Sequence, residues 1–114
     1  MIAATRPPNT MGDVFRKAQA TYASVGFPDE WQLHHQGGSA GYAPREFTAT
    51  PASTQPISVG QAFAWNPSIK GAKSEDTILV GDHKNEIITE MPDWQTIDVH
   101  VGDQIFKRPA ILEK

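Results

Sequence analysis

From Thr10 onward the chain sets Met11, Val14, Phe15, Ala18, Tyr22 and Val25 on one face at helical spacing, with Thr10 and Asp13 spaced as a capping box and Gly26 and Pro28 as stop signals. This pattern predicts a helix from Met11 to Val25. The preceding stretch, Met1 to Asn9, contains Pro7-Pro8 and reads as an extended lead-in or the end of some preceding element. Beyond Pro28-Asp29, Trp31 to His35 alternates as a short strand would, and Gln36 to Gly41 is too rich in glycine to continue as regular structure. Tyr42 to Pro56 has no period and predicts a long connection. The pattern then changes to strands at Gln61–Trp65, Asp76–Val80, Glu86–Thr89, Thr96–Val99 and Gln104–Phe106, divided by Pro67, Gly71, Gly81-Asp82, Met91-Pro92-Asp93 and Gly102-Asp103. One helix followed by a run of strands predicts an α+β fold with a largely antiparallel sheet.

The length of 114 residues allows one core, so residues 1–114 read as a single domain. Ten Lys and Arg against thirteen Asp and Glu give a net charge of -3. That balance argues against a phosphate-backbone binder, and no nucleic-acid partner is expected. The absence of cysteine excludes disulfides, thiolate zinc sites and thiol nucleophiles, and it fits a reducing compartment. No apolar run approaches the ~20 residues of a membrane helix, so the expected location is cytoplasmic, with no membrane partner.

Three clusters carry possible chemistry. In His34-His35-Gln36-Gly37-Gly38, histidine meets glycines that let backbone approach a ligand closely, although paired histidines more often only make hydrogen bonds. Neighbours on a strand point to opposite faces, so at most one of the two histidines can look into a given site. Phe63-Ala64-Trp65-Asn66-Pro67 is an apolar strand that ends in a polar residue fixed by proline; a turn-forming Asn is its ordinary reading. Lys73-Ser74-Glu75-Asp76-Thr77 runs into Ile78-Leu79-Val80, and acidic residues at the start of a strand are usually solvated.

Taken in order, these clusters resemble the C-terminal half of the catalytic domain of the pita-bread metallopeptidases, the family of prolidase, aminopeptidase P, methionine aminopeptidase and the metal-free creatinase. The family's Pro-Gly-x-Thr-like lead-in corresponds to Pro7-Pro8-Asn9-Thr10, its His-Gly-x-Gly-like strand end to His35-Gln36-Gly37-Gly38, its Glu-Pro to Asn66-Pro67, and its Arg-x-Glu-Asp-Thr to Lys73-Ser74-Glu75-Asp76-Thr77. The resemblance implies half of a pita-bread fold, a helix packed on a curved and mainly antiparallel sheet. It also implies a parent enzyme that cleaves Xaa-Pro peptides with two divalent ions of Mn, Zn, Co or Fe, which activate a shared water and clamp the oxyanion.

Carried over by position, His35 is the imidazole ligand and Glu75 the bridging carboxylate, the two residues with catalytic places, and Asn66 stands at the third metal position. His34, Tyr42 and Lys73 take substrate-side places: Tyr42 where the family has a second histidine, and Lys73 where an Arg pairs with the bridging Glu. Asn66 replaces a Glu, and a neutral amide cannot shuttle a proton as a carboxylate does. Lys73 loses the bidentate fork of Arg. Both Asp ligands of the family lie in an upstream half. The resulting expectations are no tight metal and no peptide cleavage by this chain alone, a peptide or small amide as the parent's substrate, and a homodimer in which a second copy stands in for the other half. His35, rather than His34, is expected on the cleft side, converging with Glu75 and Asn66. Two alternatives stand beside this reading: a non-catalytic peptide- or protein-binding module, and a creatinase-like metal-independent hydrolase with His35 as general acid/base.

Overall fold

The structure, a computed structural model, describes residues 1–41 and 46–110. Helix α1 (Met11–Ser24) starts where the capping box predicts. Thr10 Oγ1 accepts from the Asp13 N–H at 3.2 Å, and Asp13 Oδ2 accepts from the Thr10 N–H at 2.8 Å. Its buried face is Met11, Val14, Phe15, Ala18 and Tyr22; Val25, beyond the last turn, is exposed. The helix N-terminus is also held from outside, since the Met11 and Gly12 N–H groups donate to the Gln55 and Ser53 carbonyls.

The sheet is built from β1 (Gly37–Ala40), β2 (Phe47–Thr48), β3 (Ala62–Trp65), β6 (Asp76–Val80) and β7 (Asn85–Ile87), in the order β2-β1-β3-β6-β7, with every pairing antiparallel. Two further hairpins are β4 (Ser68–Ile69) with β5 (Ala72–Lys73), and β8 (Thr96–Val101) with β9 (Gln104–Pro109). The α+β class is as the pattern predicts. Alternation puts Phe63 and Trp65 of β3 and Ile78 and Val80 of β6 on the helix side, where they join Met11, Val14, Phe15, Ala49 and Ile57 in one core. Phe63 and Trp65 stack at 5.8 Å, and the Trp65 indole N–H donates to buried Thr5 Oγ1 at 3.0 Å. The lead-in packs against the same core and is fastened to the β6–β7 turn of the sheet. Asn85 donates to the Ile2 and Thr5 carbonyls, and Arg6 donates to Asn85 and to the Gly81 and Asp82 carbonyls.

Two local expectations are corrected. Trp31–His35 is no strand: Glu30–Leu33 is a 3₁₀ turn that brings the Trp31 ring edge-on to Phe15 at 5.5 Å. Packing of one large ring on α1 outweighs an alternation only five residues long. Conversely, part of the glycine run is a regular interior strand. A Cβ on Gly38 would collide with the Phe47 carbonyl and one on Gly37 with the Ala64 carbonyl, and Gly37 has φ 111°, so glycine is what lets β1 pair on both sides. The long connection contains β2, while Tyr42 lies outside the described residues.

Candidate functional site

The three sequence clusters meet at one end of the sheet because β3 to β6 form a single long, interrupted hairpin. The pairs Phe63↔Ile78 and Trp65↔Asp76 continue in the same register as Ser68↔Lys73 and Ile69↔Ala72, with the Ser74 N–H donating to the Pro67 carbonyl between them. Lys70 and Gly71 make the turn, and Gly71 at φ 90° supplies the positive φ of a type II turn. Asn66 therefore falls opposite Glu75, and its N–H donates to the Gln36 carbonyl at 3.0 Å. Asn66 and Glu75 both lie in the short links that join the two parts of this hairpin.

Asn66 is buried, and its Oδ1 has no hydrogen-bond partner among the described residues. Glu75 is half exposed and its carboxylate lies 2.9 Å from the Lys73 ammonium. His35 is exposed, and its carbonyl oxygen stands 2.6 Å from Nδ1 of His34. Half-buried His34 turns its Nε2 onto the Ser68 hydroxyl. No group of three His, Asp or Glu side chains among the described residues is placed to hold a metal ion.

Sequence reading missed two polar networks. In the first, Tyr22 Oη takes the Ser68 N–H at 2.7 Å and lies 2.9 Å from Gln36 Oε1 and from the Ser68 carbonyl. Gln36, fully buried, donates from Nε2 to the Trp31 and His34 carbonyls. Burial raises the Tyr22 phenol above its ordinary pKa, so it stays protonated and able to donate. The only sequence signal for this network is a tyrosine on an otherwise apolar stripe. In the second, Asp76 is buried beside the exposed Glu75. Its Oδ1 accepts from Thr89 Oγ1 at 2.6 Å, and its Oδ2 pairs with Arg108 of β9, which also donates to Ser74 Oγ at 3.2 Å. Of the two adjacent acids, Glu75 is exposed and paired with Lys73, while Asp76 is buried and paired with the distant Arg108.

No family model matches the chain, and no curated protein matches it. Among solved structures, a dipeptidase from Pyrococcus horikoshii OT3 shares the fold with a TM-score of 0.67 at 22% identity, over 78% of this chain and 26% of the dipeptidase. The chain thus spans about a quarter of that enzyme's length. At this identity the likeness is one of fold. No helix among the described residues is long and apolar enough to cross a membrane.

Proposed function

We propose that this chain is a portion of a pita-bread, Xaa-Pro dipeptidase-like hydrolase, and that its own residues do not cleave peptides. The observation that supports the reading is the opposition of Asn66 and Glu75 at adjacent strand ends, in a fold shared with a dipeptidase. These are the places that the resemblance gives to two carboxylate ligands. The residues present do not fit a two-metal centre. An amide stands for one carboxylate, the Glu75 carboxylate is bonded to an ammonium, and three strong ligands are the usual minimum for a catalytic ion.

A second reading, a peptide-binding module, is favoured by the orphaned Asn66 Oδ1. A buried acceptor without a donor costs about 1–3 kcal/mol, and a peptide N–H delivered to it would recover that cost. Calorimetry with Mn(II) and Zn(II), run beside chromatography of Xaa-Pro dipeptides, tests the leading reading. The expected result is no stoichiometric metal at micromolar concentration and no cleavage. A tight site with a stoichiometry near one overturns the prediction for the isolated chain. Binding of uncleaved peptide, abolished in Asn66→Ala, would favour the module, and turnover of a small C–N substrate without metal would favour the creatinase-like alternative.

A further inference from the structure

Ser68 and His34 form a pair that the reading above leaves unused. His34 Nδ1 lies 2.6 Å from the His35 carbonyl oxygen, and a carbonyl only accepts, so Nδ1 carries the hydrogen. In the neutral ring Nε2 then presents its lone pair, and the hydrogen bond to it is donated by the Ser68 hydroxyl. The backbone at His34 is fixed by the Gln36 side chain, which donates to the His34 carbonyl at 3.2 Å. The Ser68 backbone is fixed by its N–H to Tyr22 Oη. A hydroxyl, a base that accepts its proton and a group that orients the base are the parts of an activated nucleophile. Ser68 also lines a cavity of 690 Å³ between α1, the β4–β5 hairpin and the β8–β9 hairpin, within the size range of small-molecule sites. Ile69, Ala72 and Ile97 give its wall an apolar character, and Lys73 adds a cation.

We propose that Ser68 and His34 are the nucleophile and general base of an acyl-transfer site for small esters with short apolar acyl chains. Ser68 Oγ bonds to the ester carbonyl carbon as its proton passes to His34 Nε2, and the carbonyl electron pair moves onto oxygen. Collapse of that oxyanion re-forms the carbonyl and breaks the bond to the alcohol oxygen, which leaves with the proton from His34. Water then attacks the acyl-Ser68 ester, giving its proton to His34, and the acid departs as the proton returns to Ser68. The net change is ester and water to acid and alcohol. The Ser68 N–H is held by Tyr22, and Lys73, the cross-strand partner of Ser68, shares its ammonium with Glu75, so the oxyanion has no dedicated donor among the described residues and the site is suited to activated esters with good leaving groups. Asn66 takes no part and Glu75 enters only as the partner of Lys73, and neither carries the Ser68–His34 step, so this site stands or falls apart from the dipeptidase-like reading.

The test treats the whole chain with an alkyl fluorophosphonate and with p-nitrophenyl butyrate. The expected result is a single covalent adduct, mapped to Ser68 by peptide mass spectrometry on the unsubstituted protein, and therefore independent of whether any variant folds. His34→Ala should slow labelling by about 100-fold, the lower end of a general base's contribution, with added imidazole restoring it. A histidine that merely braced Ser68 would not be replaced by free imidazole. No adduct at Ser68, an adduct elsewhere only, or wild-type hydrolysis by Ser68→Ala overturns the proposal.

Discussion

At Tyr22 one phenol oxygen accepts from the Ser68 N–H and stands 2.9 Å from Gln36 Oε1, joining α1 to β4 and to the segment before β1. Tyr22→Phe keeps the ring's packing but leaves a backbone donor and a buried amide oxygen without that partner. The expected loss is about 1–3 kcal/mol, read as a lower urea midpoint with an unchanged slope. Arg108 presents the charged counterpart. Asp76 and Arg108 retain only 9% and 15% of their side-chain exposure, so Arg108→Met leaves a carboxylate in the interior with Thr89 as its remaining side-chain partner. Breaking such a pair costs about 3–5 kcal/mol, and the double change Asp76→Leu with Arg108→Met should recover most of that loss in the same denaturation experiment. Recovery is expected because the pair's attraction roughly offsets the desolvation of its two charges.

Helix α1 shows how a local signal becomes a titratable element. Asp13 is held below the ordinary carboxylate range, first by the Thr10 backbone N–H, then by the Arg16 side chain and by the Thr10 hydroxyl. The folded value lies below the unfolded one, so the stability from ionised Asp13 is present in full above about pH 4 and is lost as the pH falls through the folded value. In acid unfolding followed by circular dichroism, the advantage of the native chain over Asp13→Asn should therefore shrink as the pH falls below that range; an advantage that grows on acidification would contradict this role. The same helix was legible in the sequence because its cap, stripe and stop all act within a few residues of one another. The strands Ala62–Trp65 and Asp76–Val80 were legible for a similar reason, since each is an apolar run between turn signals. Gly37–Ala40 was not, because its strand state is imposed by neighbours on both sides against glycine's own preference. The 3₁₀ turn at Trp31 follows from a ring contact with α1, and the split between Asp76 and Glu75 from an arginine 32 residues beyond Asp76. Of the elements around the candidate site, the ends of Ala62–Trp65 and Asp76–Val80 were legible and the 3₁₀ turn before His35 was not, while the bonds made there by His34, Gln36 and Ser68 depend on tertiary placement alone.

At the scale of the whole molecule, much of the β structure has no partner among the described residues. The five-stranded sheet ends in the two-residue β2 and the three-residue β7, and an unpaired strand edge is a template for another chain. The β8–β9 hairpin has six-residue strands, and one of its faces carries Ile97, Val99 and Val101, which are 56%, 37% and 46% exposed. A hairpin standing alone is marginal in water, and this one is tied to the sheet by the Arg108 pair while much of its apolar face remains open. A second copy offers the same edge and the same apolar face in return, and closed two-fold pairing is the commonest way for identical chains to cover such surfaces. We therefore expect a dimer, with a mass by static light scattering of twice the 12.5 kDa of one chain. Val99→Lys, which places a charge on this face and in the cavity that holds Asp76 and Arg108, should shift that mass toward the monomer while leaving the helix signal in circular dichroism unchanged. A native mass of 12.5 kDa from micromolar to millimolar protein would show that the chain tolerates these open surfaces without a partner copy.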